Sequence, residues 1–105
     1  MKNHWKDFIL AHPVYSKPGM VEKFVEMNKD NFEGKNEVFS ANFRLLLFYR
    51  GIMPRKLIEA CPFNEGYLIA AYMDYAPKGD VLDALVKVLD VNESVLFEKH
   101  DNVQY

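Results

Sequence analysis

From Val38 to Gly51 large apolar side chains fall at every second position, with Phe39, Ala41, Phe43, Leu45, Leu47 and Tyr49 on one side and Ser40, Asn42, Arg44, Leu46, Phe48 and Arg50 on the other. A period of two is the spacing of a pleated strand. No other segment restricts the fold as much. A strand of this length needs paired neighbours, its wholly apolar side needs helices to cover it, and its mixed side suits a sheet face left partly open.

The flanking segments supply those partners. Trp5 to Ala11 is short and apolar and ends at His12-Pro13, where proline cannot extend a ladder, so it reads as strand one. Ser16, Pro18 and Gly19 then open a helix in which Met20, Val21, Phe24, Val25, Asn28 and Phe32 follow helical spacing, with Gly34 as its stop. Met53-Pro54-Arg55-Lys56-Leu57 continues or bends strand two, and Pro62, Asn64 and Gly66 turn the chain into an aromatic third strand, Tyr67 to Tyr75. Helix two opens at Pro77, Gly79 and Asp80, with Asp80 as its cap and Val81, Leu82, Leu85, Val88 and Leu89 as its apolar stripe. Val95 to Phe97 forms a short strand four, and a polar tail follows from about His100. The expected fold class is α+β, a ferredoxin-like split β-α-β (βαββαβ) domain: a four-stranded antiparallel sheet with two helices on one face.

With 105 residues, half of them apolar, the chain makes one domain and can bury roughly two-thirds of its unfolded surface without staples. No unbroken apolar run, neither Leu45 to Tyr49 nor Tyr67 to Met73, approaches the roughly 20 residues of a membrane-spanning helix. The first residues carry neither the apolar core of a secretory signal nor the Arg- and Ser-rich character of a transit peptide. Cys61 is the only cysteine, which excludes an internal disulfide and fits a reducing compartment.

Charge is distributed unevenly. The chain is net −2, yet Arg44, Arg50, Arg55 and Lys56 all fall in the acid-free stretch from Val38 to Ile58, which is therefore +4 against −6 elsewhere. Gathering every guanidinium group on one apolar segment points to phosphate or an acidic partner. On an open sheet Arg44 and Arg50 would face phosphates while Trp5, Phe48 and Tyr67 stack or bury against a partner. The bland alternative is that the arginine stems merely cover Leu46 and Phe48.

Catalysis has little support. His4, His12 and His100 are far apart and lie outside any metal-ligand spacing, and no phosphate loop, nucleophile elbow or zinc-protease motif occurs, so no catalytic residue, metal or cofactor is assigned. Asp74 is the one acid within an apolar run, and an outward sheet position accounts for it. Gly66-Tyr67-Leu68-Ile69-Ala70-Ala71-Tyr72 loosely echoes the RNA-recognition-motif octamer but has Glu65 where that motif leads with a base.

Several strings together resemble the bacterial-type small-subunit ribosomal protein six family. They are His12-Pro13 followed by Pro18-Gly19-Met20-Val21-Glu22-Lys23, Met53-Pro54-Arg55-Lys56-Leu57, Glu65-Gly66-Tyr67-Leu68, Ala76-Pro77, and Leu85, Leu89, Val91 and Val95 at the spacing of the second helix and the turn beyond. Phe48 falls where that family often has tryptophan. The resemblance implies a non-enzymatic constituent of the small ribosomal subunit that binds small-subunit rRNA paired with the small basic ribosomal protein eighteen, with contacts from Arg44, Arg50, Arg55, Lys56 and Lys99. The stretch from Glu22 to Phe48 is longer than in that family, and Leu96-Phe97-Glu98 replaces an arginine of strand four. Such drift points to a mitochondrial ribosome, with the bacterial cytoplasm as the alternative. The rival reading is a homodimeric alpha-beta-barrel that binds a small ligand or is monooxygenase-like, its cavity lined by Leu46, Phe48 and Tyr67.

Overall fold

The structure, a computed structural model, describes residues 4–99. The proposed polar tail from His100 lies outside the described residues. Seven α-helices dominate: α1 (His4–Leu10), α2 (Met20–Met27), α3 (Glu37–Arg50), α4 (Pro54–Ala60), α5 (Glu65–Tyr72), α6 (Gly79–Leu89) and α7 (Glu93–Phe97). Two short strands, β1 (Phe32–Lys35) and β2 (Tyr75–Pro77), pair antiparallel, with Phe32 opposite Pro77, Gly34 opposite Ala76, Lys35 opposite Tyr75 and a bulge after Phe32. The four-stranded ferredoxin-like sheet is therefore absent from the described residues, and a barrel built on such a sheet is absent with it.

Each misassigned strand is a helix for a definable reason. Expected strand two is α3, whose buried Phe39, Phe43 and Leu47 are common to an alternating pattern and to a helical stripe. Length and the ends decide. The Asn36 side chain accepts the Phe39 amide at 3.0 Å, and Gly51 closes the helix at φ +62° with the Ile52 amide returned to the Leu47 carbonyl. Expected strand one is α1, with Trp5 and Ile9 buried at helical spacing. The proposed continuation of strand two is α4, which Pro54 opens at its first turn.

Expected strand three is α5, apolar almost all round, so periodicity could not tell a buried strand from a buried helix. Expected strand four is α7. The first expected helix is shorter than its apolar pattern, ending at Met27, and Gly34 sits in β1 rather than at a helix stop. Helix two is present as α6, but the residue ahead of its first turn is Lys78 and Asp80 caps nothing with its side chain.

The core has two parts, and α5 lies between them. Leu68 and Ala71 face Phe39, Phe43, Leu47, Leu82, Leu85 and Leu96, whereas Tyr67, Ile69 and Ala70 face Ile9, Val21, Phe32 and Val81. Close approach requires glycine at position 66, since a Cβ there would lie 2.7 Å from the Tyr15 hydroxyl and 2.8 Å from the Phe24 ring. Among the described residues no buried side-chain nitrogen or oxygen lacks a hydrogen-bond partner. Ser40 donates to the Ala71 carbonyl, and the Asn42 amide donates to the Leu96 and Glu98 carbonyls, both at 2.9 Å, tying α7 to α3.

Candidate functional site: an aromatic groove beside α3

At one edge of the molecule α1, α3, the turn after α3 and the end of α5 enclose a half-open groove of about 860 Å³. Trp5, Leu45, Leu47, Phe48, Tyr49, Ile52, Met53 and Tyr72 line it with His4, Ala41, Arg44 and Gly51, and no carboxylate is among them. Three of these side chains stand well out of the fold: Phe48 is 60% exposed, Tyr49 49% and Met53 39%. Clustered exposed apolar surface of this kind marks an interaction site more often than a lone exposed residue does.

Local sequence explains the rigidity of the walls. Gly51 lets α3 stop, Ile52 then offers its carbonyl to the Trp5 indole N–H at 2.8 Å, and Pro54 starts α4 immediately afterwards. Trp5 lies parallel to Tyr72 at 5.8 Å between ring centroids and edge-on to Phe43 at 6.3 Å. These contacts hold the inner wall in one geometry, while Phe48 and Tyr49 meet edge to face at its mouth.

The arginines serve different ends. Arg44 donates to the Tyr72 carbonyl at 2.6 Å, approaches the Asp74 carboxylate at 3.5 Å and places its guanidinium 5.6 Å from the Tyr72 ring centroid. It fastens α3 to the bend before β2, where Asp74 adopts φ +80°. Arg50 donates to the Leu89 carbonyl and so closes the end of α6. Neither is a bare cation on an open sheet, as the sequence had suggested. Arg55 and Lys56, in the first turn of α4 just past Met53, are exposed, and their side chains make no hydrogen bond or ion pair among the described residues. Lys99 is also exposed, beyond α7.

Of the residues proposed for a partner, Trp5 and Phe48 come together in the groove. Tyr67 does not: it is buried in the second core, donating to Asn28 Oδ1 and accepting from Asn31 Nδ2. Sequence reasoning missed Leu45, Tyr49, Ile52, Met53 and Tyr72. Their signal was excess, because once Phe39, Phe43 and Leu47 point inward, Leu45, Phe48 and Tyr49 are more apolar surface than an ordinary solvated helix face carries.

Other reactive side chains are committed to structure. His12 Nδ1 accepts the Val14 and Tyr15 amides, both at 3.1 Å, which leaves Nε2 to donate to Glu65 at 3.2 Å, so neither ring nitrogen is open to a substrate. Burial, and secondarily the Glu65 charge, push the neighbouring Tyr15 phenol above its ordinary value. Burial pushes the Cys61 thiol up to about 11, which keeps it protonated and unreactive near neutrality. Among the described residues no three His, Cys, Asp or Glu side chains are placed to hold a metal ion, and no helix is long and apolar enough to cross a membrane.

The pair α4–α5, joined by four residues, has the layout of a helix-turn-helix. In DNA-binding versions the second helix enters the major groove. Here Gly66 through Ala71 of that helix are all buried, so it has no face to offer. Comparison with family models, curated proteins and solved structures gives no match.

Proposed function

We propose that this chain is a non-catalytic protein-docking domain and that the groove beside α3 receives a segment of its partner. The observation that carries the reading is the cluster of Phe48, Tyr49 and Met53, exposed side by side at the mouth of a groove whose inner wall is pinned by Trp5 and Tyr72. An occupant small enough to sit wholly inside would leave that outer cluster in water; a polypeptide segment covers both.

Site-specific photocrosslinking tests it. A benzophenone side chain at position 49 should yield adducts with one recurrent protein in the cells that make this chain, whereas the same group at exposed Glu26 on α2 should not. Absence of a position-specific adduct, or adducts with this chain alone, counts against docking.

A second reading, rRNA contact in a small ribosomal subunit beside a basic protein, is supported by Arg55, Lys56 and Lys99 remaining exposed. It lacks the open sheet that was to carry it. Co-sedimentation with small subunits, lost on Arg55→Ala and Lys56→Ala together, is its test.

A further inference from the structure

We infer that the occupant of this groove is an amphipathic acidic segment: bulky apolar side chains at helical spacing, with Asp or Glu beyond the end that lies over α4. The inference rests on the docking reading and adds the chemistry of the partner. Its basis is where charge is compensated and where it is not.

The groove lining contains no carboxylate. Its own cation, Arg44, is already matched by Asp74. Arg50 is drawn off to the end of α6. What remains is Arg55 and Lys56, adjacent in the chain, exposed and unpaired among the described residues, two and three positions after groove residue Met53. A ligand that fills the apolar part and continues over the first turn of α4 therefore meets a local excess of positive charge on one side only. Acidic residues there gain favourable encounter and orientation, whereas basic ones are repelled.

The same charge distribution argues against the other occupants. In a two-fold dimer through this face each copy would bring Arg55 and Lys56 to the interface with no acid lining it, placing like charges together. Single-stranded RNA uses aromatic platforms along a positively charged track, but here the rings share the groove with Leu45, Leu47, Ile52 and Met53, and only two cations are uncommitted beside it. Aliphatic lining of that kind matches Leu, Ile or Phe anchors of a helix laid in a groove.

The test is selection of peptides of roughly 15 residues from a displayed random library on the immobilised full chain, followed by affinity measurements with synthetic copies of the enriched sequences. Trp5 is the only tryptophan and lines the groove, so its emission reports occupancy when the peptides lack tryptophan. We expect enriched sequences to share two or more bulky apolar residues at helical spacing with an excess of Asp and Glu. Reversing both cations, Arg55→Glu with Lys56→Glu, should weaken an acidic peptide about tenfold or more, and added salt should weaken it in the same direction. Phe48→Ser should abolish binding of every enriched peptide, with circular dichroism confirming that each variant is folded.

Apolar peptides enriched without acidic bias, or insensitive to the charge reversal, overturn this inference and leave docking standing. No enrichment, or enrichment indifferent to Phe48→Ser, overturns both. Oligouridylate that binds and is lost on Phe48→Ser, or a dimer in gel filtration that Phe48→Ser dissolves, replaces the acidic peptide with RNA or with a second copy.

Discussion

Two aromatic clusters occupy this small domain, and they are finished differently. In the one around α2 and β1, Phe24 meets Tyr15, Phe32 and Tyr67 edge-on at 5.0 to 6.2 Å, and Phe32 stacks on Tyr67 at 5.2 Å. Its most buried polar groups are paired: Tyr67 bonds Asn28 and Asn31, and His12 uses both ring nitrogens. The other, around Trp5, Phe43 and Tyr72, is just as ordered inside but ends in Phe48 and Tyr49 facing water. Closed packing contributes stability; an ordered wall with an open mouth can do so and still keep apolar surface for another molecule.

Truncations on the two sides separate these roles. The largest loss of stability is expected from Phe32→Ala, about 3–5 kcal/mol in urea unfolding, because the ring is buried between Phe24 and Tyr67. A loss as small as that of a surface mutant would show the closed cluster to be loosely packed. Gly66→Ala comes next, at about 1–3 kcal/mol, since the added methyl meets Tyr15 and Phe24, each held by further rings.

Asn42→Ala removes the donor to the Leu96 and Glu98 carbonyls and should cost about 1–3 kcal/mol, with faster amide exchange in α7 as the local signature.

Alkaline pH gives a smaller and signed effect. Both Tyr15 and Cys61 hold their protons more tightly when folded, so their contributions are complete below the unfolded values and fade as pH rises through the folded ones. For Cys61 the window runs from the ordinary 9.0 to about 11, and for Tyr15 it begins at the ordinary 10.0. Urea midpoints followed against pH should fall across these windows, less steeply in Cys61→Ala and Tyr15→Phe; unchanged slopes would show that burial of these groups is incomplete.

The smallest effect is expected at the open mouth, where Phe48→Ala should shift stability by no more than about 0.5 kcal/mol. A loss comparable to that of Phe32→Ala would mean that Phe48 is a core residue and would remove the contrast between the clusters.

What was legible in the sequence follows the same physics. Helices α2 and α6 were visible because one face of each is apolar, the other charged, and glycine or proline marks an end. At α3 the decisive signs were Asn36 and Gly51 at its ends, not the apolar spacing, which served either period. Helix α5 gave no sign at all in its pattern, because a segment enclosed on every side needs no polar face. Arg44, Trp5 and Phe48, expected on an open sheet, instead line one groove between helices. Tyr67 was placed with them because a strand would have turned it outward, and a central helix does not.

The pairing of β1 with β2 carries one more consequence. These strands are linked only through α3, α4 and α5, and the ladder is extended by Asn36 to Asp74 and Lys78 to Asn31 backbone bonds. The intervening chain is thus a ring fastened at its base, and the ladder can zip only after the three helices have folded back on themselves. A single nick in the turn between α4 and α5 should therefore leave two fragments that co-purify, buckled together by the ladder as well as by the core on both sides of α5.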